Sequence, residues 1–130
     1  MNLELATTLW VALGGGMGSV ARYAIDVLVT RLAGREVVWG TLLVNVLGSF
    51  LIAYLGLPVV THLASEGPDL RLLLALGVWG GFTTFSCFSL QTIELLRQGQ
   101  IGRAIAYIGG SVLLCLGAAG LGLYAGGPAA

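Results

Sequence analysis

Four apolar stretches, each long enough to cross a lipid bilayer, dominate the chain and limit what it can fold into. A helix needs about 20 apolar residues to cross the hydrocarbon core, and only short connections separate the stretches. Because 57% of the 130 residues are hydrophobic and 9% are charged, an ordinary soluble fold is excluded. We therefore predict an all-α integral membrane protein with a single domain, residues 1–130, and four transmembrane helices at about 6–30, 39–61, 70–95 and 102–124.

The third stretch contains a segment that is poor in helix formers, GGFTTFSCFS at residues 80–89. Each glycine of the pair destabilises a helix interior by roughly 1 kcal/mol, and the hydroxyl residues offer the backbone competing hydrogen bonds. In hydrocarbon a break is tolerated only where the freed backbone groups are buried in protein or line a polar cavity. The segment therefore predicts a helix broken in mid-membrane beside an ion or solute site. The alternative is a glycine pair that only lets another helix approach closely.

Arg22 lies in the last third of the first stretch, where an unpaired charge is unfavourable. Intramembrane ionisable residues are candidates for function, but Asp26 is one helical turn away and is a possible ion-pair partner. We favour a vestibule or structural role for Arg22 over direct contact with an ion.

The second stretch carries a face of small and polar residues, Thr41, Asn45, Gly48 and Ser49. The Asn45 amide offers two N–H donors and no charge, which suits a partly dehydrated anion. The alternative for a single membrane asparagine is an interhelical hydrogen bond and nothing else.

Aromatic and polar side chains recur at helical spacing in the third and fourth stretches. Phe85 and Phe88 share one face; such stripes usually mean packing, although ring edges carry a partial positive charge that attracts anions. Tyr107, Ser111 and Cys115 form a column at i, i+4 and i+8. The alternative for the hydroxyls is a bond to a carbonyl of their own helix.

Several function classes are excluded. The net charge is zero and the chain has no lysine, so nucleic acid is not an expected partner. No stretch contains a buried glutamate or lysine for proton coupling, and His62 is predicted in a loop. An enzyme is not expected, because one histidine and boundary carboxylates cannot supply a nucleophile, a base and an orienting group. Cys87 and Cys115 lack metal-like spacing and are read as small hydrophobes.

Three strings resemble the Fluc (CrcB) family of fluoride channels: GGGMGSVARY at 14–23, GTLLVNVLGSF at 40–50 and GGFTTFSCFS at 80–89. They come in the family's order and spacing, and the likeness covers nearly the whole chain. The resemblance implies a passive, fluoride-selective channel of the cell (inner or plasma) membrane that exports cytoplasmic fluoride and gives fluoride resistance. It also implies an antiparallel, dual-topology homodimer with two pores and a structural sodium ion, Na+, at its centre. The implied partners are fluoride, a second copy of the chain and the lipid bilayer.

The resemblance further implies residue roles. Phe85 and Phe88 are similar to the pore phenylalanines and Asn45 to the pore asparagine, while Gly80 and Thr83 match the positions whose backbone carbonyls hold the sodium ion. The other expected pore donors are the hydroxyls of Thr84, Ser86, Tyr107 and Ser111.

The chain departs from the family pattern at three positions. Cys87 stands where a threonine is usual, and Cys115 and Ala119 stand where hydroxyl residues are expected. In the family, Tyr107 and Ser111 resemble members of a polar track on the fourth helix, and the departures at Cys115 and Ala119 remove expected hydroxyls from the far end of that track. A weaker track would alter conduction without abolishing it.

Two other functions are weighed against the channel. A small multidrug-type exchanger needs a membrane-embedded carboxylate, and Asp26, near a segment end beside Arg22, is a poor candidate. A non-conducting assembly subunit would explain the glycines but not the polar groups at membrane depth.

Dual topology also predicts little charge bias, whereas the first and third connections carry four arginines, at 31, 35, 97 and 103, against Arg71 on the other side.

Overall fold

The computed structural model describes residues 3–34, 38–66 and 69–126, and every regular element in these ranges is an α-helix. The predicted all-α class is therefore confirmed. Helices run through all four predicted segments, and the single domain and its four membrane crossings stay predictions. The elements are α1 (Leu3–Ala33), α2 (Trp39–Glu66), α3 (Leu70–Phe82), α4 (Phe85–Arg97) and α5 (Ile101–Gly126).

Three of the predicted spans are long and apolar enough to cross a membrane within the described residues: Trp39–Gly56, Leu73–Arg97 and Ile101–Gly126. Helix α1 is not among them, because its run of glycines and its charged residues, including Arg22 and Asp26, lower its hydropathy. The crossing of the membrane by α1 therefore stays a prediction.

Helix α1 packs mainly against α3, and α2 packs mainly against α5. The α1–α3 contact is made by backbones that touch directly: a Cβ atom on Gly18 would overlap the Val78 carbonyl oxygen, and one on Gly81 would overlap the Gly15 carbonyl oxygen. Small residues at such spacing allow this approach between helices in lipid. Gly81 thus serves close packing, which was the alternative interpretation of the glycine pair, while a Cβ on Gly80 would meet open space.

Replacing Gly18 with alanine is expected to lower the stability of the protein by about 1–3 kcal/mol, the usual effect of overpacking. The added methyl group would meet the backbone of α3, which cannot rotate away as a side chain can. The matched control is Gly16→Ala on the same helix, where the methyl group would meet nothing within 4 Å. Thermal unfolding in detergent compares the two variants, and equal unfolding midpoints would contradict this packing.

The third predicted span is divided between two helices. Helix α3 ends at Phe82 and α4 begins at Phe85, so Thr83 and Thr84 are non-helical and lie well inside the apolar stretch Leu73–Arg97. Thr84 has extended backbone angles, φ −152° and ψ 114°, and its hydroxyl accepts a hydrogen bond from the Cys87 amide. This is N-capping, which makes the break a defined helix start.

Most helices extend beyond the predicted segments, and the largest difference is at the end of α2, which reaches Glu66 where the prediction ends at residue 61. His62, predicted in a loop, lies within α2. Apolar residues thin out after residue 61, but the helical backbone continues because no glycine or proline follows until Gly67 and Pro68. Of the charges weighed for orientation, Arg35 lies outside the described residues, as does the side chain of Arg71.

Candidate functional site

A cavity of about 320 Å³ lies beside the break between α3 and α4, and we call it the break cavity. Helices α2 and α5 form its other walls. It brings together four of the predicted pore residues, Asn45, Thr84, Phe85 and Phe88, with a fifth, Ser111, on α5. Its complete lining is Asn45, Ser49, Ile52, Thr83, Thr84, Phe85, Phe88, Ser111, Val112 and Cys115.

Asn45 holds the break in place by pairing with both backbone groups of Thr84. Its Nδ2 donates to the Thr84 carbonyl oxygen at 2.9 Å, and its Oδ1 accepts from the Thr84 amide at 2.7 Å. These groups lack helical partners at a helix junction, and an unpartnered polar group in an apolar interior is strongly unfavourable. One Nδ2 hydrogen remains for the cavity, so Asn45 is both a brace of the break and a donor in its wall.

The hydroxyls of Thr84 and Ser86 belong to the start of α4. The two oxygens are 3.0 Å apart, within hydrogen-bond distance, and the Thr84 oxygen also caps the Cys87 amide at 3.2 Å. Thr84 is buried and lines the break cavity, whereas Ser86 is exposed and is not part of its lining. Of the two predicted donors, the structure therefore places Thr84 in the cavity wall and Ser86 beside it.

Three aromatic rings form a continuous row along the cavity. The ring centroids of Phe85 and Phe88 are 5.4 Å apart, and those of Phe88 and Tyr107 are 5.2 Å apart, all in tilted arrangements. Tilted rings direct edges as well as faces toward the space beside them. Phe85 is 78% exposed, an unusually high exposure for a phenyl ring beside a polar break.

A second cavity, of about 330 Å³, lies next to Tyr107, and we call it the Tyr107 cavity. Ser111 lines both cavities, and its side chain is 7% exposed. Its Oγ is buried without a hydrogen-bond partner among the described residues. The lining of the second cavity is Val38, Trp39, Leu42, Leu95, Arg103, Ala106, Tyr107, Gly110, Ser111 and Leu114.

The hydrogen-bond partner of Tyr107 is a residue that the sequence motifs do not single out. The Tyr107 hydroxyl donates its hydrogen to Oε1 of Gln91 at 2.8 Å, so this hydrogen is not free to bind an anion in the cavity. Gln91 stands three residues after Phe88 and shares its helix face. That spacing was the only signal in the sequence that could have identified it.

The carbonyl oxygens of Gly80 and Thr83 lie beside the helix break. In a continuous helix they would accept from the amides of Thr84 and Cys87, but these amides donate to Asn45 Oδ1 and Thr84 Oγ1 instead. Carbonyl oxygens freed at a helix break are suitable ligands for a hard cation such as sodium. The described residues contain no cluster of three or more histidine, cysteine or carboxylate side chains that could hold a metal ion.

Arg22 connects α1 to the first turn of α4. Its Nη1 is 4.0 Å from the Cys87 sulfur, and its Nε is buried without a hydrogen-bond partner among the described residues. Arg22 and Asp26 form no salt bridge; Asp26 lies against Gly40 at the start of α2. The ion pair weighed as the alternative for Arg22 is therefore absent from this part of the chain.

Comparisons with known proteins identify relatives over most of the chain. Residues 9–123 match the family described as "CrcB-like protein, Camphor Resistance (CrcB)". A protein of Opitutus terrae named fluoride-specific ion channel FluC is 50% identical over 119 residues, covering 88% of this chain and 87% of its own length. Proteins with the same name from Anaeromyxobacter dehalogenans (49% over 117 residues, 88% and 90% covered) and Thermus thermophilus (47% over 122 residues, 92% and 94% covered) are similar throughout.

Proposed function

The chain belongs to the family of CrcB-like proteins, and from this premise we propose that it is a passive, fluoride-selective channel that releases cytoplasmic fluoride down its electrochemical gradient. The resemblance seen in its three sequence motifs is confirmed. Its relatives are named as ion channels, and the protein is a membrane protein and not an enzyme.

The observation that carries the proposal is the Ser111 hydroxyl, buried and unpartnered between two cavities. A buried polar group without a partner is unfavourable in a resting protein and needs an explanation. A small, strongly hydrated anion supplies one, because it must replace lost water with hydrogen-bond donors when it leaves the aqueous phase. Ser111 stands where such an anion would pass from one cavity to the other.

The donors that line the break cavity are uncharged, and this favours conduction over tight binding. The lining of the Tyr107 cavity includes one charged residue, Arg103. The break cavity offers the remaining Asn45 N–H, the Ser111 hydroxyl and the edges of Phe85 and Phe88. Several weak sites in a row let an ion enter and leave, whereas a full ion pair would retain it. None of the residues that line the two cavities is acidic, and Asp26, which the exchanger hypothesis requires, lines a different cavity with Tyr23 and Arg31.

The finer architecture in the proposal is an antiparallel, dual-topology homodimer with four spans per subunit and two pores, in the cell inner membrane. Its support is the surface around the break: Phe85 is 78% exposed, and a side chain on Gly80 would meet open space. In a single subunit the break cavity is open on the side where Phe85 is exposed. A second copy of the chain packed against Phe85 would cover this opening, which lipid would otherwise border.

The proposal includes a structural sodium ion held at the dimer centre by the carbonyl oxygens of Gly80 and Thr83. Both oxygens have lost their helical amide partners. When bound, sodium supplies a positive charge that interacts favourably with the partial negative charges of these carbonyl oxygens. We expect the unfolding midpoint of the purified protein to rise with sodium concentration, as for any ion that binds only the folded state. The control is N-methylglucamine at equal ionic strength, and equal midpoints in the two salts would contradict this site.

The test of the function is release of fluoride from liposomes that contain the purified protein. We expect a fluoride electrode to record rapid efflux after the membrane potential is set, with chloride retained under the same conditions. A pH dye in the liposome lumen shows whether protons move together with fluoride, and we expect that they do not. Liposomes that retain fluoride as protein-free liposomes do would overturn the proposal, and proton-driven uptake of a lipophilic cation would favour the exchanger.

Replacing Tyr107 with phenylalanine is expected to change fluoride flux by about threefold or less. The hydroxyl hydrogen is donated to Gln91 and not to the cavity, so the substitution removes one neutral hydrogen bond, which contributes about 0.5–1.5 kcal/mol to stability. The ring that packs on Phe88 remains. A large loss of flux in this variant would mean that the hydroxyl turns to the ion during passage.

A further inference from the structure

Cys115 is a free, partly buried thiol in the wall of the break cavity. It lies one helical turn beyond Ser111 on α5. Its sequence context alone is typical of a small buried hydrophobe. The structure gives it a different setting, because the cavity that it lines also contains the Asn45 amide, Thr84 and Ser49.

A second observation is an unsatisfied polar group in the lining of the same cavity. Ser111 is 7% exposed, and its buried Oγ has no partner among the described residues, although it lines the same cavity as Cys115. A space of about 320 Å³ has room for about ten water molecules at roughly 30 Å³ each. Cys115 therefore lines a space that is large enough for water and small solutes.

We propose that Cys115 is a modification site inside the ion path, at which small, uncharged, thiol-directed electrophiles form an adduct that closes the channel. The closure rests on the proposed function, since the path is defined by fluoride flux. The modification itself does not, because it depends only on access of the reagent to the cavity.

The chemistry can be written for methyl methanethiosulfonate as the probe. The Cys115 thiol loses its proton to water in the cavity, and the thiolate attacks the sulfenyl sulfur of the reagent. An S–S bond forms between Sγ and the methylthio group while the S–S bond of the reagent breaks, and methanesulfinate leaves with the electron pair. Dithiothreitol reverses the reaction by thiol–disulfide exchange.

The adduct closes the path for two reasons. It removes the S–H donor, and it places an apolar methyl group in the space that also contains the Ser111 hydroxyl. A dehydrated anion next to an apolar group has lost a hydrogen-bonding partner without gaining one. We therefore expect a reduction in fluoride flux of at least tenfold.

The chain's other thiol provides a matched control. Cys87 is also partly buried and free, but it contacts the Arg22 guanidinium on the α1 side of α4 and lines neither of the two cavities. The two sulfurs differ in two respects: Cys115 lines the break cavity, and Cys87 contacts a guanidinium group. A reagent effect that arises from membrane or protein damage in general would not distinguish between them.

The experiment treats reconstituted protein with methyl methanethiosulfonate and measures flux as a fraction of each variant's own untreated flux. We expect at least tenfold inhibition of the unmodified sequence and of Cys87→Ser, restored by dithiothreitol, and no inhibition of Cys115→Ser or Cys115→Ala. Peptide mass spectrometry should locate the methylthio group on Cys115, with slower labelling in fluoride than in chloride. Inhibition that persists without Cys115, or equal labelling rates in the two salts, would overturn the proposal. If the untreated protein releases no fluoride, the proposed function fails, and the labelling rates still test whether the cavity admits the reagent.

Discussion

Replacing Asn45 with aspartate is expected to reduce fluoride flux by about a hundredfold or more. The two side chains have nearly the same shape, but a carboxylate has no N–H to donate to the Thr84 carbonyl oxygen, which Asn45 holds at 2.9 Å. It also places a negative charge in the wall of an anion path. An uncompensated buried charge is unfavourable by about 3–5 kcal/mol, and each tenfold in rate corresponds to about 1.4 kcal/mol.

The Asn45 prediction has a control on the same helix. Ser49 lines the same cavity one turn along α2 but takes no part in the pairing with Thr84. Ser49→Ala should therefore retain most of the flux. Circular dichroism and size-exclusion chromatography show whether the Asn45→Asp protein is folded, so that loss of conduction can be separated from loss of the break. A folded Asn45→Asp protein that conducts normally would mean that neither the brace nor the uncharged wall matters.

The positions of the helices could be predicted from hydropathy, because a membrane span is specified by local composition alone. The interval between Phe82 and Phe85 could also be anticipated, since two glycines and two threonines weaken a helix wherever they occur. The bonds that define the interval could not. That Asn45 pairs with Thr84, 39 residues later in the chain, depends on how α2 lies against the break.

The partner of Tyr107 illustrates the same limit. The column of Tyr107, Ser111 and Cys115 could be read from a spacing of four residues, and all three line the cavities. Their individual roles differ because of their neighbours: Tyr107 donates to Gln91, whereas Ser111 has no partner among the described residues. Periodicity identifies a face, but hydrogen-bond direction depends on tertiary contacts. For the same reason helix spacing permits a salt bridge between Arg22 and Asp26 but does not require it, and the described residues do not form it.

Replacing Ser111 with valine is expected to reduce fluoride flux by about thirtyfold to a hundredfold. Valine fills a similar volume but offers no hydrogen bond where the two cavities meet. An anion that loses a hydroxyl donor in a mostly apolar passage loses the interaction of a charged hydrogen bond, about 1.5–3 kcal/mol, which corresponds to a rate factor of this order. Ser111→Thr keeps the hydroxyl on a branched side chain and should keep most of the flux.

The stability of the same valine variant decides whether Ser111 serves the fold or the ion. The Ser111 Oγ is buried and satisfied by no described residue, and replacing such a group with an apolar one of similar shape is nearly neutral or stabilising. We therefore expect an unchanged or higher unfolding midpoint together with the loss of flux. If Ser111 served packing, the substitution would lower the unfolding midpoint and the fluoride flux together. A lower midpoint in Ser111→Val, or unchanged flux in a folded protein, would show that the hydroxyl does not face the ion, and the channel proposal would lose the observation that carries it.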